Sequence, residues 1–365
     1  MKVCFFGSYV KDSYGIPSGN DGTLLKKILE TQNVKVIECH ESIENFSSLI
    51  PAYFKLFFKH RKLDYDIMMI PWRGILSLPL AKIIHKKPII YFPAFSIYDT
   101  LVNDRKIIKK NSLKAKFVHF VDKLACKWSD LVVLESTEEI NYFVKEYGLS
   151  KEKFRQYPLS ADESIFYPQT PKNQTTKKFV VLFFGSFIPL HGVETIVNAA
   201  LILKKYGDIC FRICGKGQTM EKIENMIEKN NLTNVKLLGL LPKENLLDNI
   251  KESDVCLGIF GDTLKARKVV TNKVYQILAS KKSLITMESP ASLEAHLEDK
   301  KNCILVPTAN PEKLAEAILF LRNDPMKRQQ IAEEGYKTFS EHLSIEATGK
   351  KLLKFVQELI SKKKA

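Results

Sequence analysis

Between Phe260 and Gln276 the chain reads Phe-Gly-Asp-Thr-Leu-Lys-Ala-Arg-Lys-Val-Val-Thr-Asn-Lys-Val-Tyr-Gln, so Lys265, Arg267, Lys268 and Lys273 crowd one short stretch. An apolar run over 255–260 reads as a buried strand before it. A helical pattern follows, with Asn272 placed to cap it. A helix N-terminus offers unbonded N–H groups and the positive end of its dipole. Added to four full charges, these make an anion site; the alternative is a solvated basic loop.

Two glycine turns could bring backbone against a ligand. Phe184-Gly185-Ser186-Phe187-Ile188-Pro189-Leu190-His191-Gly192 joins a strand to a helix that starts near Gly192. Glycine permits close approach there, and the helix start suits a phosphate. Cys214-Gly215-Lys216-Gly217 stands at a second strand end. Met220 occupies the place of the third glycine of a dinucleotide fingerprint, and no Gly-Lys-Ser/Thr occurs. A nicotinamide dehydrogenase is therefore disfavoured, and a P-loop is absent.

The N-terminal half offers polar groups of its own. Ser96, Tyr98, Asp99, Asp104 and Arg105 follow a strand over 89–92. They are candidates for catalytic or acceptor contacts, or for a local ion pair. Gly19 lies in a polar loop over 14–22, after the first strand. The stretch 46–63 interleaves aromatics with Lys55, Lys59, Arg61 and Lys62 and holds no acid. It suits an anionic lipid surface, or is a surface helix with its apolar stripe on a sheet.

The elements that must position these groups alternate strand and helix. Strands are expected at 2–6, 34–38, 67–70, 89–92 and 131–134, with helices at 23–31 and 113–128. Residues 169–178 are polar, carry Pro and lack periodicity, so they read as a linker. The pattern restarts with strands at 179–184, 210–214, 235–238, 255–260, 283–287 and 304–306. This describes an α/β protein with two doubly wound parallel-sheet domains facing a cleft, which is the default ligand site. The domains are 1–168 and 179–342, and a terminal helix within 343–365 is expected to pack back on the first.

The formal net charge is +15, from 56 Lys and Arg against 41 Asp and Glu. Such an excess suits phosphorylated substrates or an anionic membrane face; no nucleic-acid recognition motif is present. The seven cysteines sit mostly inside apolar runs, as reduced buried thiols do. Cys210 and Cys214 lack the nearby His pair that a zinc site would need. No metal site is expected. The N-terminus is too short in apolar length for a signal peptide, and no run reaches membrane-span length. A cytoplasmic protein, peripheral on the inner face of the cell membrane if it touches one, is expected.

The ordered segments Phe-Phe-Gly-Ser-Phe-Ile-Pro-Leu-His-Gly-Val-Glu-Thr-Ile, Ile-Cys-Gly-Lys-Gly, Val-Lys-Leu-Leu-Gly-Leu-Leu-Pro and Asn-Lys-Val-Tyr-Gln-Ile-Leu-Ala-Ser-Lys-Lys-Ser-Leu-Ile-Thr resemble the retaining GT-B glycosyltransferases of family 4. The Ser-Ile-Tyr-Asp-Thr-Leu-Val-Asn-Asp-Arg segment resembles one branch of that family. The resemblance implies two Rossmann-like domains and sugar transfer from a nucleotide-sugar, with anomeric retention, no metal and no further cofactor. The donor would bind the C-terminal domain, and a lipid-linked or saccharide acceptor the N-terminal one. Gly185, Ser186, His191, Gly192, Gly215, Gly217, Arg267, Asn272, Lys273 and Gln276 would be the donor contacts. The family's diphosphate-binding Arg and Lys are replaced here by Ser186 and His191, so Arg267 and Lys273 are expected to supply the charge. Of its two acids eight apart, the second maps to Gln276 and the first falls near Lys268. The family's N-domain histidine has no match; Ser96, Tyr98 and Asp99 occupy that region. These departures leave two alternatives: a catalytically silent subunit and a nucleotide-sugar epimerase.

Overall fold

The computed structural model describes residues 1–10, 22–43, 48–169 and 178–364. Gly19, residues 46–47 and most of the expected linker lie outside them. Two compact units form: Met1–Leu159 with Ile345–Ala365, and Ser160–Ser344.

The first unit holds strands β1 (Lys2–Val10), β2 (Lys35–Ile43), β3 (Ile67–Pro71), β4 (Ile89–Phe92), β5 (Leu131–Leu134) and β6 (Phe154–Gln156). Its helices are α1 (Gly22–Thr31), α2 (Leu49–Arg61), α3 (Leu78–Ile84), α4 (Leu113–Trp128) and α5 (Thr137–Tyr147). The strands form one parallel sheet in the order β2-β1-β3-β4-β5-β6. Alternate residues of each strand feed two cores. Val3, Phe5, Ile67 and Met69 face Leu24, Leu25 and Ile28 of α1. Cys4, Phe6, Met68 and Ile70 face the side carrying Leu56 of α2, Leu78 of α3 and Ala125 of α4. Burial on both faces explains why these strands read as continuous apolar runs.

The second unit holds β7 (Phe179–Phe184), α6 (Val193–Ile202), β8 (Ile209–Cys214), α7 (Met220–Lys229), β9 (Val235–Gly239), α8 (Lys243–Glu252) and β10 (Val255–Leu257). It continues through α9 (Asn272–Ala279), β11 (Ser283–Met287), α10 (Pro290–Glu294), β12 (Ile304–Val306), α11 (Pro311–Asn323) and α12 (Pro325–Thr338). Its parallel sheet runs β12-β11-β10-β7-β8-β9.

Several elements differ from expectation, β2 among them, since it runs on to Ile43. β1 continues through Gly7 to Val10, in register with β2. β10 ends at Leu257; beyond it the Ile259 N–H donates to the Thr286 hydroxyl at 3.2 Å while the Met287 N–H still donates to the Ile259 carbonyl at 3.0 Å, so the pairing with β11 becomes irregular. β6, three residues long, was too short to carry a readable period. The seven cysteines are all buried and unpaired. No helix among the described residues is long and apolar enough to cross a membrane.

The last helix, α13 (Ile345–Lys364), belongs to the first unit. Ile345, Leu352 and Val356 enter the α1 core, and the Lys351 ammonium reaches the Gln156 side chain at 2.5 Å. Leu352 is fully buried. Leu352→Ala should therefore lower stability by about 2–5 kcal/mol in urea unfolding. A loss near about 0.5 kcal/mol, the range of a surface change, would mean the helix is not docked there.

Candidate anion and sugar-nucleotide site

In the second unit the strand order reverses beside β7. The chain builds β8 and β9 outward on one side, then returns to place β10 on the other. Loops leaving β7 and β10 start at this switch point, at the carboxyl ends of the strands, where α/β sheets bind ligands.

The β7 and β8 turns touch through backbone. The Gly185 N–H donates to the Cys214 carbonyl at 3.0 Å, and the Phe187 N–H to the Lys216 carbonyl at 2.8 Å. A Cβ on Gly215 would lie 1.9 Å from the Gly185 oxygen, so only glycine fits. At the start of α6, Gly192 has φ +62° and its Cα lies against the β10 loop; a Cβ there would stand 2.4 Å from the Gly261 nitrogen. The Phe260 N–H donates to the His191 carbonyl at 3.1 Å and closes that side.

Lys273 fills the space beneath Gly185. A Cβ on Gly185 would lie 2.8 Å from the Lys273 Nζ. That nitrogen is 4.1 Å from the centre of the Phe183 ring. Only 5% of the residue is exposed, and its nitrogen has no hydrogen-bond partner among the described residues. Burial holds its pKa well below the usual lysine range. The Thr271 Oγ1 and Asn272 Oδ1 are likewise withdrawn from solvent without a partner. Three unsatisfied polar groups on consecutive residues are costly in a folded protein unless something binds them.

Several expectations change here. Thr271, not Asn272, is the N-cap of α9; Asn272 is the first helical residue. Adjacent Thr and Asn are both cap formers, and only backbone geometry separates them. Gly185 does not keep its N–H for a ligand, since Cys214 takes it; Ser186, exposed at the turn, carries the next one. Arg267 stands on a 3₁₀ turn, Ala266–Lys268, with its side chain half exposed and its Nη2 3.0 Å from Asp262. His191 is buried, with Nδ1 against the Ser186 carbonyl. A carbonyl only accepts, so Nδ1 carries the proton, and Nε2 can donate only from the imidazolium. Gln276 is buried on α9, and Gly217 lies in the β8 turn beside Phe187. Burial pushes the Cys214 thiol up to about 12, which removes it as a nucleophile.

In the first unit, Ser96 is a fastener. Its hydroxyl donates to Asp122 of α4 at 2.8 Å, accepts the Asp99 N–H at 2.9 Å and meets the Tyr147 hydroxyl of α5 at 2.8 Å. The Tyr98 N–H and the Tyr147 hydroxyl also donate to that Asp122 oxygen, each at 2.9 Å. Burial raises the Asp122 pKa against the pull of these donors. The chain then enters a π-helical turn, Asp99–Asp104, a rare form that is frequent at functional sites. Asp99 is buried and accepts from Asn103 at 3.0 Å; Asp104 is buried, and Arg105 ends the turn. The sequence reading missed His119 of α4. It packs edge-on to Tyr98 at 5.1 Å and pairs with Glu146 at 3.1 Å. Its one signal was a lone histidine inside a basic, apolar helix. Among the described residues, no group of three or more His, Cys, Asp and Glu is placed to hold a metal ion.

Ser96→Ala should cost about 1–3 kcal/mol, because it strips a donor from a buried carboxyl group; unchanged stability would contradict its role as a fastener. Lys273→Met should make the ligand-free protein more stable at neutral pH, since a buried polar group with no partner among the described residues is replaced by an apolar chain of similar length. Between the lowered folded pKa and the ordinary lysine value, the unfolded chain holds a proton that the folded one has released. The Lys273 contribution to stability therefore rises with pH across that window. Wild type minus Lys273→Met, measured by denaturant unfolding along a pH series, should show this rise; a flat difference would place the ammonium in water.

Comparison with known proteins places this geometry. Residues 168–338 match the family model described as Glycosyl transferases group 1. An uncharacterized glycosyltransferase of Methanocaldococcus jannaschii is 26% identical over 263 residues, covering 71% of this chain and 68% of that one. The poly(ribitol-phosphate) alpha-N-acetylglucosaminyltransferase of Staphylococcus aureus is 24% identical over 261 residues; the match covers 67% of this chain and half of that protein's length. Among solved structures, Anabaena HepE in complex with UDP and glucose superposes with a TM-score of 0.71 at 15% identity, over 98% of this chain and 100% of that one. Sucrose-phosphate synthase of Thermosynechococcus elongatus gives 0.73 at 15% identity, over 99% of both. The two six-stranded parallel sheets with flanking helices are thus those of the GT-B fold, and residues 168–338 form a Glycosyl transferases group 1 domain.

Proposed function

We propose that this protein is a retaining, metal-independent glycosyltransferase. On this reading the second unit binds a nucleotide-sugar by its diphosphate, and the sugar passes to a saccharide or lipid-linked acceptor. The observation that carries the proposal is the buried Lys273 nitrogen, without a partner among the described residues, at the carboxyl end of the sheet. An ammonium left bare in a low-dielectric place interacts strongly with an anion that reaches it. The Thr271 hydroxyl, the start of α9 and the Ser186 N–H add further donors and dipoles at this strand end, while the Asn272 Oδ1 can accept from a ligand hydroxyl or N–H. Gln276 sits one turn along α9 to meet a ribose hydroxyl. Arg267 would exchange its exposed Asp262 partner for a phosphate oxygen.

The relatives' names support the same chemistry. HepE is described with UDP and glucose, and the S. aureus enzyme transfers N-acetylglucosamine to a ribitol phosphate polymer.

In the reaction, the bond from the anomeric carbon to the leaving phosphate oxygen breaks while the acceptor oxygen attacks on the same face. The acceptor's proton passes to that phosphate oxygen. Charge grows on the diphosphate in the transition state, so Lys273 and the dipoles around it stabilise that state more than the ground state. Asp99 and Tyr98, held by the Ser96 fastener, are the acceptor-side groups of this scheme, with Asp104 and Arg105 closing the turn.

Product formation from a UDP-sugar and a saccharide or polyol-phosphate acceptor tests the reading. Turnover should persist in EDTA, and NMR should find the donor's anomeric configuration in the product. Lys273→Met should lower kcat/KM by roughly 100-fold or more, the scale of losing one preorganised charge-stabilising group. Turnover within twofold of wild type in that variant, or an inverted product, would defeat the proposal. Donor hydrolysis or rearrangement without acceptor would favour an epimerase, and no turnover with intact UDP binding a silent subunit.

A further inference from the structure

The positive charge of this chain is not spread evenly. Residues 49–128 hold sixteen Lys and Arg against five Asp and no Glu, which is eleven of the net fifteen charges. Three of those five acids, Asp99, Asp104 and Asp122, are buried. The surface of this stretch is therefore almost purely cationic.

The same stretch carries apolar side chains that the fold does not cover. On α2, Ala52, Leu56 and His60 are buried, while Ile50, Phe54 and Phe58 face solvent, the two phenylalanines 64% and 59% exposed. A step of two residues turns a helix by about 200°, so these are two stripes on opposite sides. One packs on the sheet; the other is left exposed by the described residues. α4 repeats the arrangement. Ala115, Asp122 and Cys126 turn inward, while Leu113, Phe117 and Phe120 stand out, the phenylalanines 64% and 55% exposed. Between them α3 packs against both helices and exposes Ile83. All three helices cover the same face of the first sheet.

We infer that the outer surface of α2, α3 and α4 is a docking face for an anionic lipid bilayer. Single exposed apolar residues are ordinary, but two aligned aromatic stripes on one helical layer are not. Their flanks are Lys55, Lys82, Lys114, Lys116 and Lys123, all exposed. Aromatic and aliphatic tips enter the headgroup boundary while long cationic chains reach lipid phosphates. A protein partner would need equally one-signed acidic chemistry around an apolar centre; a bilayer supplies both at once. The face extends well beyond the 46–63 stretch to which the sequence pointed, because α4 contributes half of the aromatics.

Co-sedimentation of the full chain with vesicles tests this. It should bind phosphatidylcholine vesicles containing phosphatidylglycerol at low salt, and bind pure phosphatidylcholine far less. Raising salt from about 0.05 to about 0.3 M should weaken binding by roughly tenfold or more, as screening shortens the Debye length. Phe54→Ser with Phe58→Ser, and separately Phe117→Ser with Phe120→Ser, should each lower the partition coefficient by roughly tenfold or more. These side chains are exposed, so circular dichroism and unfolding midpoints should match wild type. Absence of binding to anionic vesicles at low salt would overturn the inference, as would binding that both double variants leave within twofold. So would lipid-free dimerisation that either double variant abolishes, which would make a second copy the occupant.

Discussion

The second unit is organised around one unfavourable placement: a lysine nitrogen buried without a counter-charge among the described residues. Lys273 gains the Phe183 ring face and loses water. A cation over an aromatic face recovers a part of what hydration supplied, on the order of 2 kcal/mol when desolvated. The remainder is a standing cost borne by the rest of the fold, a pattern expected of functional sites rather than cores. The packed sheet around it makes the cost tolerable, since Phe183, Phe187 and Phe260 are fully buried in one continuous core.

The glycine turns follow from the same constraint. Lys273 can lie beneath the β7 turn only because Gly185 has no side chain there. The β8 turn can close over Gly185 only because Gly215 has none. Backbone is thereby brought as near the crevice as it can come, and the cation stands behind it rather than projecting through solvent. A charge fixed in this way needs no reorganisation when an anion arrives, which is the condition under which electrostatic stabilisation of a transition state is largest.

Much of this arrangement could be read from residue order. The strands at 89–92, 131–134, 179–184 and 283–287 fall on the expected residues because each is an uninterrupted buried run bounded by polar turns. Lys273 was picked out as part of a basic loop at a strand end. Composition could not separate it from Arg267, since a loop sequence does not say which cation turns inward; Arg267 pairs with Asp262 at the surface. Ser96 was misjudged for a related reason. Its partners lie 26 and 51 residues away, on α4 and α5, so a polar group after a strand looked available when three partners already hold it. The outer stripe of α4 was hidden by its own regularity. A helix apolar on two sides has the same composition as one packed from both sides, and only the position of the sheet decides between them.

The large net charge first suggests one anionic partner, but its distribution describes two separate problems. A diphosphate in a crevice is met by a buried cation, where the local dielectric is low and one charge interacts strongly. A lipid surface is wet and screened, and each Lys or Arg near it contributes only about 1 kcal/mol. Many are then needed, together with apolar anchors that salt does not weaken. The chain follows this division: its C-terminal unit buries one lysine nitrogen without a partner among the described residues, and its N-terminal unit carries eleven excess charges over residues 49–128, with eight Lys and Arg on the helical layer fringed with phenylalanine. If both readings hold, salt should separate them. Membrane attachment would fade at ionic strengths where donor binding at Lys273 persists, because the Debye length acts on exposed charges far more than on buried ones.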